Sequence, residues 1–231
     1  GQLAAELLRR RLASGGYRKI DNADAFSIRV ARDLKSATHD LHLRFATNDF
    51  AKKMMDRPVD EQFGIARVDR LRGNIGYIDV VAFPPPLLFR AGADRAMKMV
   101  SDTDAIILDL RHNNGGDPEA VAYLASFFFA AAKPEHLSDI VWRTAKSAYY
   151  TRQTFSTSST PVGYIDKPVY ILTSAETVSA GEAFASDIQA FQRGTLVVEK
   201  TAGAAHPPTD VPIEATCVAP TPAGLARHPP P

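Results

Sequence analysis

The sequence predicts an α/β fold: a mostly parallel sheet with crossover helices, preceded by a small N-terminal helical unit. Three observations point there. After Gly73 the texture changes to β-rich apolar runs, at 74–83, 105–110, 140–146, 169–174 and 195–201. Segments of helical character separate several of these runs, and strands joined through crossover helices pair in parallel. The chain has 231 residues, 45% of them hydrophobic, enough for one sizeable core plus a small attached unit.

Each element has its own signal. Leu3, Leu7 and Leu8, then Phe26, Val30 and Leu34, recur at helical spacing and place amphipathic helices over 3–12 and 23–35. After the strand at 74–83, Pro84-Pro85-Pro86 breaks the pattern and a helix follows over 87–101. The strand at 105–110 runs into a glycine-rich loop. Asp117-Pro118-Glu119 then supplies an N-cap, a first-turn proline and an N-terminal acid for a helix ending near Ala131. The strand at 169–174 leads through a short turn to a helix whose apolar face is Ala180, Ala183, Phe184, Ile188 and Phe191. Eight of the 16 prolines lie in 207–231, and proline removes a ladder donor, so this tail is expected to be irregular. The organisation read this way is a helical unit over 1–45, a core over 63–206 and a tail over 207–231.

Composition narrows the function. With 27 Lys and Arg against 26 Asp and Glu, the formal net charge is +1, so no global field favours nucleic acid or an acidic membrane. No apolar run reaches the roughly 18 residues needed to span a bilayer. The single Cys217 leaves the redox compartment open. The opening Gly1-Gln2-Leu3 lacks a Met, which reads as a mature or excised piece.

Two segments could carry chemistry. In the first, 168–182, Ser179 stands between a strand and a helix. One reading is a capping box, Ser179 and Glu182 each satisfying the other's free N–H. The other is a nucleophile presented at the sheet edge, with the helix N-terminus favouring negative charge. In the second, 106–117, a buried strand enters a loop containing Gly115 and Gly116, where backbone N–H groups can approach a ligand closely. That loop reads as a tight turn or as an anion hole. A phosphate cradle is disfavoured, because neither glycine-rich phosphate motif is present.

Together these segments resemble the C-terminal processing (tail-specific) protease family. The resemblance is carried by Asp109-Leu110-Arg111-x-Asn113-x-Gly115-Gly116, by Ser179-Ala180-x-Glu182, by Arg193 followed by Glu199-x-Thr201-x-Gly203, and by the strand opening Gly73-Asn74-Ile75-Gly76-Tyr77-Ile78. It implies a crotonase/ClpP-like core and a serine-type peptidase acting on peptide or protein by acyl transfer, without metal or organic cofactor. Ser179 would be the nucleophile, and the N–H groups of Ala180 and of Gly115 or Gly116 the oxyanion hole. By the same resemblance the location is periplasmic or extracytoplasmic.

A serine hydroxyl needs a base within about 3 Å. The processing proteases carry a lysine 25 residues after the serine, but this chain has Ala204 there. Lys200 is displaced from that place by about 13 Å of extended chain. The chain is therefore more similar to the relatives of tricorn protease and of interphotoreceptor retinoid-binding protein, where an N-terminal histidine serves. Asp40-Leu41-His42-Leu43-Arg44 resembles their Asp-x-His-Leu, which makes His42 the base; the other reading of His42 is a structural histidine on a half-buried strand. His39 and His206 are weaker candidates. The 31 residues from His42 to Gly73 are too few for a PDZ domain. Such bases are oriented by an acid, and Glu214, in Ile213-Glu214-Ala215, is the residue this comparison offers. The tail can equally be a truncated end that lacks the acid. Two rival functions remain open: an inactive member binding apolar ligands such as retinoids or fatty acids, and acyl-thioester chemistry on a crotonase-like core that does not require Ser179.

Overall fold

The computed structural model describes residues 2–38, 45–47, 64–130, 132–143, 150–204, 206–214 and 217–228. They form two units, one of Gly1–Arg57 with His206–Gly224, the other of Pro58–Ala205 with Leu225–Pro231. In chain order the elements are α1 (Gln2–Ala13), α2 (Ala23–Thr38), β1 (Ala46–Thr47), β2 (Ile65–Leu71), β3 (Ile75–Val80), α3 (Pro86–Val100), β4 (Ala105–Asp109) and α4 (Pro118–Ser126). There follow β5 (His136–Arg143), β6 (Tyr150–Ser156), β7 (Val169–Thr173), α5 (Ala180–Ala190), β8 (Thr195–Val198), β9 (Pro208–Glu214), β10 (Cys217–Pro222) and β11 (Gly224–Arg227).

In the first unit, α1 and α2 close a small core of Ala4, Val30 and Leu34, flanked by Leu8, Tyr17, Phe26 and Phe45. Asn22 caps α2 by accepting the Ala25 N–H at 2.7 Å. Asp33, buried beneath, accepts the Tyr17 hydroxyl at 3.0 Å and Arg29 at 3.4 Å, so its charge stays partnered.

This unit also holds a three-stranded antiparallel sheet in the order β1-β10-β9. Residues 208–227, expected to be irregular, therefore carry strands. The prolines are tolerated because they sit where no second neighbour demands an N–H. β9 lies at the sheet edge, and β1 pairs only with Val218 and Cys217, leaving Pro220 and Pro222 of β10 beyond its reach.

The second unit is built on a five-stranded sheet in the order β2-β3-β4-β7-β8. β2 and β3 form an antiparallel pair, and the remaining three pairings are parallel. As the periodicity predicts, helices cross over between the parallel strands: α3 between β3 and β4, α5 between β7 and β8. Asp117 caps α4, its carboxylate accepting the Glu119 N–H at 2.8 Å, with Pro118 in the first turn. Phe83, Phe89, Phe128 and Phe184 meet ring to ring inside the core, at centroid separations of 5.5, 6.0 and 6.4 Å. Each fully buried phenylalanine contributes roughly 1.5–3 kcal/mol of transfer free energy.

Two expectations differ from what forms here. Of the run read as 140–146, residues 140–143 lie in β5, which does not join the parallel sheet, and 144–146 lie outside the described residues. β5 pairs antiparallel with β6 in a second sheet of order β11-β5-β6. The chain after α4 thus makes a hairpin where a crossover was anticipated. α4 also stops at Ser126 rather than near Ala131. Phe127 and Phe128 are buried in the turn that follows, and the Phe127 carbonyl accepts the Tyr164 N–H at 2.6 Å, so tertiary packing ends the helix while its apolar pattern continues.

Candidate active site

The carboxyl ends of parallel strands β4 and β7 lie side by side, with Asp109 opposite Leu172. Their following loops are laced together. Thr177 Oγ1 donates to the Leu110 carbonyl at 2.8 Å, Ser174 Oγ donates to the Arg111 carbonyl at 2.5 Å, and the Val178 N–H donates to the Asn113 carbonyl at 3.0 Å. Open parallel sheets place their binding crevices at these strand ends.

Ser179 sits in this turn at φ 54 and ψ −111, a conformation L-residues rarely adopt. Holding it costs about 1–3 kcal/mol, so the surroundings have to fix it. Ser179 and Glu182 occupy the two positions of a capping box at the start of α5. The reciprocal arm is closed: Glu182 Oε2 accepts the Ser179 N–H at 2.8 Å.

Glu182 does more than sequence reasoning assigned to it. The same Oε2 accepts the Ala204 N–H at 2.8 Å, and Oε1 accepts the Gly203 N–H at 2.7 Å. One buried carboxylate therefore ties the serine turn to the loop after β8. The Ser-x-x-Glu spacing signals the first of these bonds, while the other two bridge 21 and 22 residues and leave no local trace.

The glycine loop packs against Ser179. A Cβ on Gly115, at φ 86, would stand 2.9 Å from the Ser179 Cβ and 3.4 Å from the Ala180 nitrogen. A Cβ on Gly116, at φ 140, would fall 1.9 Å from the Phe83 carbonyl oxygen. Asn113, fully buried, shapes this loop. Its Nδ2 donates to the Val80 carbonyl at 2.7 Å and its Oδ1 accepts the Gly115 N–H at 2.9 Å. The Gly115 N–H is thus engaged. Among the described residues, the N–H groups of Gly116 and Ala180 donate to no partner.

Below the loop, Asp109 accepts the Tyr77 hydroxyl at 2.7 Å and both an Nε and an Nη of Arg111. Burial raises the Asp109 carboxyl, but the Arg111 and Tyr77 hydrogen bonds outweigh it and hold the group below its ordinary value. Burial, followed by the hydrogen bond to Asp109, pushes the Tyr77 phenol up to about 12. Asp79 pairs with Asp109 across the strands, and one of its oxygens, Oδ1, is buried with no hydrogen-bond partner among the described residues. Burial first, then the Asp109 charge, raises its carboxyl.

His42 and His39 lie outside the described residues. Glu214 is the last residue of β9 in the other unit, and His206 is exposed. Ala204 is buried and Lys200 exposed. Among the described residues no group of three or more His, Cys, Asp or Glu side chains is arranged to hold a metal ion.

Comparison with known proteins bears on the fold and the family. A carboxyl-terminal-processing protease of Synechocystis is 36% identical over 100 residues, which is 43% of this chain and 21% of that protein. The chain thus spans about a fifth of that curated relative's length. A peptidase structure from Parabacteroides merdae superposes with a TM-score of 0.64 at 16% identity, over 90% of this chain and 71% of the other. A photosystem II D1 C-terminal processing protease gives 0.53 at 20% identity, over 71% of this chain and 42% of the other. These likenesses establish the fold. The model of peptidase family S41 matches residues 74–220, well over half of the sequence, and the chain belongs to that family.

Proposed function

We propose that this protein is a serine-type peptidase that cleaves peptide or protein substrates, including chain tails, through an acyl-enzyme on Ser179. The observation that carries the reading is the Ser179 turn: a strained, non-glycine residue at the mouth of the sheet, packed against the glycine loop. Strain of this kind is kept where the surroundings enforce it, and it clusters at reacting groups. The Ala180 and Gly116 N–H groups are the donors for the tetrahedral oxyanion. Gly115, whose N–H goes to Asn113, serves as the wall behind Ser179.

In this mechanism Ser179 Oγ attacks the scissile carbonyl and its proton passes to the base. The base then protonates the leaving amine, and water releases the acyl group by the reverse path. We assign the base to His42 and its orienting acid to Glu214. The support for a histidine is chemical: the position that carries lysine in the processing proteases is Ala204, which has no proton acceptor on its side chain. The experiment is hydrolysis of an unstructured peptide followed by mass spectrometry, comparing the protein with Ser179→Ala. Turnover confined to the serine form supports the proposal. Unchanged turnover in Ser179→Ala, or apolar-ligand binding with no turnover in either form, rejects it.

A further inference from the structure

A second serine lies in a nucleophile's surroundings, on the opposite part of α5 from Ser179. Ser186 Oγ is 2.7 Å from His228 Nε2. His228 follows β11, which pairs beside β5 and so brings the imidazole to α5. On the far side of the ring, His228 Nδ1 is 3.3 Å from the Leu137 carbonyl oxygen and 3.4 Å from Asp187 Oδ1. The Leu137 carbonyl can only accept, so Nδ1 carries the neutral ring's proton; burial pushes the Asp187 carboxyl up to about 7 against the lowering effect of a Ser138 hydrogen bond, so the carboxylate beside the ring is ionised at pH 8. Nε2 is left with its lone pair facing the Ser186 hydroxyl.

The gradation of burial suits such a relay. Asp187 is only 2% exposed, whereas the His228 side chain is about a third exposed and Ser186 is half-buried. His228 also lines a cavity of about 340 Å³ together with Asp139, Val141, Arg152 and Arg227. Arg152 is tied to Asp139. Arg227 has no ion-pair partner among the described residues, so the cavity carries an uncompensated positive charge. Nothing in this constellation depends on Ser179.

We infer that Ser186, His228 and Asp187 form a second nucleophilic centre that takes acyl groups from small esters bearing a negative charge. Ser186 Oγ forms a bond to the ester carbonyl carbon while its proton moves to His228 Nε2. The carbonyl–alkoxy bond then breaks, and the leaving oxygen receives that proton. Water attacks the acyl-serine, passes a proton through His228 back to Ser186 Oγ, and releases the carboxylic acid. Ser186 lies within α5, where backbone N–H groups serve the helix ladder, so the guanidinium of Arg227 is the donor for the oxyanion and for the substrate's charge.

The test uses Ser179→Ala protein at pH 8, with its fold checked by circular dichroism and thermal melting. It is treated with a fluorophosphonate, and the adduct is located by peptide mapping. The expected adduct is on Ser186, forming about 100-fold or more slowly once His228→Gln is added. Should Ser179→Ala fold poorly, mapping of the wild-type protein reads the same Ser186 adduct beside any other. Mono(4-nitrophenyl) succinate should be hydrolysed faster than 4-nitrophenyl acetate, and Arg227→Ala should erase that preference. An unmodified Ser186 in folded protein, or labelling that is indifferent to His228→Gln, overturns the centre. Equal rates on the two esters overturn the assignment of an anionic substrate.

Discussion

Replacing Glu182 by glutamine changes one oxygen to an amide nitrogen and removes the charge, with almost no change of shape. The native carboxylate accepts three backbone N–H groups, two on Oε2 and one on Oε1. Glutamine has a single acceptor oxygen. If that oxygen faces Ser179 and Ala204, the amide NH₂ confronts the Gly203 N–H, donor against donor. In the opposite orientation two N–H groups lose their acceptor. At least one charge-assisted hydrogen bond disappears, a buried donor is stranded, and the bonds that survive become neutral. The loss is roughly 2–4 kcal/mol. For a chain of this size each kcal/mol moves Tm by about 2–4 °C, so Glu182→Gln should melt roughly 5–15 °C lower. The assay is thermal unfolding by circular dichroism, paired with fluorophosphonate labelling at a temperature where the variant is folded. Labelling should slow as well, since the released turn no longer enforces the Ser179 backbone. A variant that melts with the wild type and labels at the same rate would refute the idea that this carboxylate holds the turn.

Gly116→Ala places a methyl group 1.9 Å from the Phe83 carbonyl oxygen at a φ that alanine avoids, so the loop has to move. Peptide hydrolysis should fall well over tenfold, and wild-type turnover by a folded Gly116→Ala would contradict the assigned donor. Asp139, buried beneath Arg152, Thr154 and His136, is held down to about 2, chiefly by the Arg152 hydrogen bond. A depressed carboxyl stabilises the fold above its unfolded value of about 3.9, and that contribution is lost as pH falls through about 2. In urea unfolding from pH 6 to pH 2, the stability gap between wild type and Asp139→Asn should close over that window; a gap constant with pH would be the contrary result. If His42 is the base, hydrolysis should rise with pH through an apparent pKa near about 6–7 and collapse in His42→Ala. An alkaline rise that survives this substitution would point to lysine.

The parallel sheet was legible because each of its inner strands is a dense apolar run bounded by loop residues, as in 105–110 and 169–174. β6 was not read, for six of its seven residues, all but Phe155, are exposed and present no alternation. The strands at 208–227 were missed because proline content was weighed without knowing which positions lack a second neighbour. At the site, Ser179 and Glu182 announced themselves as a local pair. The positive φ of Ser179, the engagement of the Gly115 N–H by Asn113, and the reach of Glu182 to Gly203 and Ala204 depend on chain segments brought together only by folding. Local periodicity has no means of recording them. The same holds for Ser186 and His228, 42 residues apart.

The central claim is that Ser179 is an activated nucleophile, and covalent capture tests it most directly. Folded wild-type protein is treated with a fluorophosphonate, digested, and the peptide spanning Ser179 analysed by mass spectrometry. The account predicts a stoichiometric phosphonyl adduct on Ser179, formed faster than on any other serine and abolished by Ser179→Ala. An unmodified Ser179 in protein that is demonstrably folded would contradict it.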